Sequence, residues 1–128
     1  STNMREQSFD YDRLMQANLA RVFSERDSGR RMVAIADLYA DDAVLYEPEA
    51  SATGHLAINN AVEALLSDLP PNLVFSALGP AIGHHGLALL RWQSGPPGGP
   101  AAVIGTDVAT VEDGLIRSLH VLLDPLGS

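Results

Sequence analysis

The chain has 128 residues, enough for one domain that buries about two-thirds of its unfolded surface. Hydrophobic residues make up 46%, which supplies a core, and 8 basic against 16 acidic residues give a net charge of −8, which excludes a basic nucleic-acid-binding face. Without cysteine there is no disulfide and no thiolate metal site, and no apolar run approaches the ~20 residues of a membrane helix.

Residues 1–9 read as a disordered lead-in, polar and acidic, without the apolar stretch of a signal peptide. From Asp10 onward Leu14, Ala17, Leu19, Val22 and Phe23 recur at helical spacing, and Gly29 is expected to stop this helix. A second helix is predicted over 30–39, with Met32, Val33, Ile35, Ala36, Leu38 and Tyr39 mostly on one side. A short strand, Ala43 to Glu47, follows and is closed by Pro48. The third helix starts after Gly54, carries Ile58, Ala61, Val62, Leu65 and Leu69 at helical period, and ends at Pro70-Pro71. Everything beyond is strand: 73–78, 86–94, 101–111 and 115–123, with 95–100 as a hairpin tip. The succession predicts a single α+β domain over 10–124, three helices packed on a strongly bent, mostly antiparallel sheet that encloses a cavity.

The last two strands meet at Asp113-Gly114, a strong hairpin signal between apolar runs. Strand alternation puts Val103, Gly105, Asp107, Ala109 and Val111 on one face. An ionised aspartate is costly to bury among such neighbours. The residues alone leave two readings open, a pocket floor or an aspartate on a solvated or edge face.

Three stretches, LYADDAVLYEPE (38–49), ATGHLAI (52–58) and GTDVATVEDGLIRSLHVLLD (105–124), resemble the nuclear-transport-factor-2-like superfamily, and within it the SnoaL-like and ketosteroid-isomerase-like proteins. The resemblance spans about residues 10–124 and implies a cone-shaped fold. It also implies two site residues. Glu47 stands where the isomerases have their aspartate base, and Asp107 where they have an aspartic acid kept neutral so that it donates a hydrogen bond. Two features depart from that pattern. The tyrosine that the isomerases place on the first helix falls on Phe23, or on Val22 with a one-residue gap, and neither donates. Glu47 is one methylene longer than aspartate. The arginine that the superfamily's epoxide hydrolases carry two residues before the strand aspartate is Gly105 here.

The other candidates are read from position. Tyr46 and Glu47 point to opposite faces of a regular strand, and Glu47 is taken as the pocket residue. Tyr46, Trp92 or a histidine is needed as a second donor beside Asp107. His120 lies on the last strand with Ile116, Ser118 and Leu122, and either lines the pocket or sits on the far face. His84-His85 sit near a strand start, and His55 at a helix N-terminus is expected to face solvent. Metal-ligand spacing and phosphate-binding loops are absent from the sequence. The expected activity is therefore cofactor-independent acid–base chemistry, of isomerase, cyclase or dehydratase type, on a small hydrophobic carbonyl compound. Glu47 and Asp107 would be catalytic, with Phe23, Tyr46, Trp92 and His120 as substrate-binding residues. A non-catalytic small-molecule binder of the same fold and an interaction domain are the alternatives. Neither nucleic acid nor membrane is expected as a partner; a cytoplasmic homodimer is.

Overall fold

The computed structural model describes residues 8–125. The N-terminal lead-in lies largely outside that range, but Phe9 does not: its ring meets Tyr11 edge-on at 5.1 Å and reaches the Gly114 turn. Helix α1, Tyr11–Asn18, is capped by Asp10, whose Oδ1 accepts from the Arg13 backbone N–H at 2.9 Å. It continues as a π-helical turn, Leu19–Phe23, with Leu19, Val22 and Phe23 buried. Gly29 does not end this helix. Asp27 caps a new one, accepting from the Arg30 N–H at 2.8 Å, so Ser28–Leu38 is α2 and Gly29 lies within its first turn. The polar run before it is a helix start, in keeping with the capping preference of aspartate.

Strand β1, Tyr39–Glu47, begins directly at the end of α2 and is longer than the apolar pattern indicated. A short β2, Ala50–Thr53, folds back on it, and Gly54, at φ 90, leads into α3, His55–Ser67. Then come β3 (Val74–Ala77), β4 (Ile82–His84), β5 (Leu87–Gly95), β6 (Val103–Glu112) and β7 (Leu115–Leu123). Neither β2 nor β4 carries an alternating apolar signal; β2 is ASAT and β4 is IGH. The sheet order is β2-β1-β7-β6-β5-β3, with β4 also on β5. All pairs are antiparallel except β1 with β7. The β6–β7 turn has Asp113 at φ 53 and Gly114 at φ 77, the two left-handed residues of a hairpin whose twist matches its strands.

The concave side of the sheet is packed by the helices. Ala34, Ile35 and Leu38 of α2 and Ile58, Val62 and Leu66 of α3 meet Leu45, Leu90, Ala109 and Leu119 of the sheet, all buried. Each fully buried leucine or isoleucine contributes about 2 kcal/mol. Between α2 and α3 lies Arg31, fully buried. It donates to Asn59 Oδ1 at 2.6 Å and to the Glu25 carbonyl at 2.6 Å, and pairs with Glu63. This fork fixes the two covering helices relative to each other, and so the shape of what they enclose.

Candidate functional site

A cavity of about 160 Å³ remains between the π-helical turn, the end of α3 and the concave sheet face. Leu19, Phe23, Leu65, Leu69, Phe75, Val103 and Val121 form much of its apolar wall, and Glu47, Asp107, Trp92 and Ser94 supply its polar atoms. Leu19 and Phe23, four apart at the two ends of the π-turn, both line it; such widened turns recur at functional sites.

The two acids share one row of the sheet. Asp107 pairs with Val121, and the register that sets Tyr46 beside His120 brings Glu47 next to Val121. With strands about 4.8 Å apart, the two Cα atoms stand about 10 Å apart, with Val121 between them. Both side chains line the same cavity. Asp107 is 2% exposed. Its Oδ1 accepts from the Trp92 indole N–H at 2.8 Å, while Oδ2 has no bond within the described residues and opens on the cavity. Burial pushes its pKa up to about 7, against the opposing pull of the Trp92 hydrogen bond. Glu47 is less deeply placed, yet burial also raises its pKa, and its Oε1 is sealed from solvent without a partner among the described residues. Glu47, half-buried at the end of its strand beside Pro48, thus keeps more contact with solvent than Asp107, although one of its oxygens is sealed.

Tyr46 and His120 are not in the cavity. They stack on each other on the opposite face of the sheet, ring centroids 4.5 Å apart and planes 19° from parallel. This corrects their assignment as substrate-binding residues. The alternation on β7 misleads because the β6–β7 register shifts between Thr110, paired with Ser118, and Val111, paired with Ile116, leaving Arg117 as an extra residue. Such a bulge turns the strand over. Ile116 and Leu119 are therefore both buried although three apart, and His120 faces outward. His55 does not simply face solvent: its Nε2 lies 2.9 Å and 3.0 Å from the carbonyls of Tyr39 and Ala40, joining α3 to β1. His84 and His85 are exposed and contact each other, Nδ1 to Nδ1 at 2.8 Å.

The family of the chain follows from its sequence match. Residues 19–119 match the SnoaL-like domain. The chain belongs to the SnoaL-like family. An inferred isomerase of the SnoaL-like family from Agrobacterium tumefaciens superposes on it with a TM-score of 0.83, at 25% identity over 91% of this chain and 98% of the other. An inferred polyketide cyclase from Sinorhizobium meliloti follows with TM-score 0.65, 24% identity, and 85% and 93% of the two chains covered. An inferred ketosteroid isomerase from Kribbella flavida has TM-score 0.68 at 14% identity, covering 93% and 81%. The last two likenesses concern the fold alone. No curated protein matches the chain in sequence. In this SnoaL-like protein no helix among the described residues is long and apolar enough to cross a membrane. Nor do the described residues hold a group of three or more His, Asp or Glu arranged around a metal.

Sequence reasoning missed the polar pair at Asn18 and Tyr39. Both are buried, and the Tyr39 hydroxyl donates to Asn18 Oδ1 at 2.5 Å. Burial, and then the charge of Asp107, push the Tyr39 hydroxyl well above its ordinary pKa. Only contact across the core reveals these residues, since an asparagine late in an amphipathic helix carries no signal of its own. Ser94 was missed for the same reason. It lies on the inner face of β5 beyond Trp92, and a strand-end serine reads as solvated until the facing wall is known.

Proposed function

We propose that this protein catalyses proton transfer on a small, uncharged, hydrophobic carbonyl compound, without a cofactor. The observation that carries the reading is the meeting of Glu47 and Asp107 in one largely apolar cavity, on one row of the sheet. Glu47, ionised, removes a proton from the carbon next to the carbonyl. Asp107, neutral, donates from Oδ2 to the oxygen as negative charge develops there; the low-polarity wall strengthens that hydrogen bond. The proton held by Glu47 then returns to a different carbon, or leaves with a β-hydroxyl as water. The first outcome is isomerisation and the second dehydration.

Both roles need opposite protonation states, which sets the pH profile. Activity rises as Glu47 ionises, above the ordinary glutamate range because burial raises it, and falls near pH 7 as Asp107 loses its proton. The test is solvent exchange of 2-tetralone and related neutral cyclic ketones in D₂O, followed by NMR of the α-protons. Wild type is expected to accelerate exchange. Glu47→Gln should lower the acceleration by about 10²–10⁴-fold, and Asp107→Leu by about 10²–10³-fold. Saturable ketone binding with no acceleration, across the panel, would instead make the protein a binder.

A further inference from the structure

Trp92 is the single tryptophan of the chain, and three contacts fix its ring. Gly105, its partner across β5 and β6, leaves the space the indole fills: a Cβ at 105 would lie 2.3 Å from Cζ2 and 2.7 Å from Cε2 and Cη2. Phe75 meets the ring edge-on, with centroids 5.5 Å apart and planes at 62°. The N–H then ends on Asp107 Oδ1, reaching from the Trp92–Gly105 pair to the neighbouring Leu90–Asp107 pair.

We infer that Trp92 is a positioning residue for the donor carboxyl: its N–H claims Oδ1, so the proton of Asp107 sits on Oδ2, the oxygen that opens on the cavity. The indole nitrogen donates and never accepts. Oδ1 must therefore accept, and because a carbonyl oxygen accepts more strongly than a hydroxyl oxygen, this bond favours the form with the proton on Oδ2. A carboxyl without that neighbour has no such preference and would carry its proton on either oxygen. Gly105 belongs to the same device, because any side chain there displaces the ring.

The inference rests on Asp107 as the donor of the proposed reaction, but its test uses the free protein and no substrate. In a ¹⁵N- and ¹³C-labelled full chain the one indole N–H resonance is followed from pH 5 to 9 beside the Asp107 carboxyl carbon. The indole signal is expected to move with the carboxyl, with a midpoint near pH 7, and to stay flat in Asp107→Asn. Trp92→Phe removes a bond that favours the ionised carboxyl, so the Asp107 midpoint should rise by about one pH unit. Gly105→Ala should move it the same way with the tryptophan still present. A ring that only fills space would leave the indole signal flat through the carboxyl titration and the Trp92→Phe midpoint unchanged, and either result overturns the inference. If neither variant folds, wild type against Asp107→Asn still decides it. A failed ketone-exchange assay with a titrating indole would refute the catalytic reading and leave the positioning role intact.

Discussion

Asp107→Asn tests the burial of the strand acid through stability alone. The asparagine keeps an oxygen for the Trp92 N–H and removes the titration. In the wild type the carboxyl rises from 3.8 to about 7 because burial penalises its charged form. The sign follows from linkage: a carboxyl with a raised folded pKa stabilises the fold below the unfolded value, and that contribution is lost as pH rises toward the folded one. At 1.36 kcal/mol per pH unit the full loss is about 4 kcal/mol. Roughly 1.5 kcal/mol of it has gone by pH 5, and nearly all the rest by pH 7.5. Between pH 5 and 8 the stability of Asp107→Asn should therefore gain about 3 kcal/mol relative to wild type. With a urea slope of about 1.5 kcal/mol/M for a domain of this size, the difference in midpoints should widen by about 2 M. Urea titrations at the two pH values, followed by far-ultraviolet circular dichroism, measure it directly. A difference that does not change with pH, or that changes in the opposite direction, would show that Asp107 is an ordinary ionised acid and would remove the donor.

Two further outcomes are expected. Phe23 lines the cavity where the resembling isomerases carry a tyrosine, so turnover of a 3-keto-Δ5 steroid should be weak or absent. One missing oxyanion donor costs about 10²–10³-fold, and robust turnover in an absorbance assay would mean that another group supplies the bond. Arg31→Ala should cost about 3–5 kcal/mol in urea unfolding, because it strands Asn59, the Glu25 carbonyl and Glu63 around an empty fork. Arg31→Lys should recover little of that, since a single ammonium cannot reach three separated acceptors; full recovery would show that charge rather than fork geometry holds the helices.

The sequence by itself determined whatever depends on neighbours along the chain. Helical spacing located α3, Pro70-Pro71 marked its end, and Asp113-Gly114 set the last hairpin, because each is a local steric or periodic requirement. Period-two alternation was enough to put Gly105, Asp107 and Ala109 on one face of β6, and all three are buried. Alternation failed on β7, where one extra residue at Arg117 turns His120 outward onto Tyr46. A bulge is set by pairing with β6, and nothing in LIRSLHVLL announces it. The role of Gly29 also went astray, since a glycine ends a helix or lies in the first turn of the next according to which side chain caps the chain there, and Asp27 does. Only the tertiary structure decided that Glu47 and Asp107 face each other across Val121, and that the Trp92 indole lies over Gly105 to reach the acid. Those contacts join residues 13 to 74 positions apart in sequence, and their chemistry comes from shared burial, which no segment of the chain has until the sheet closes around it.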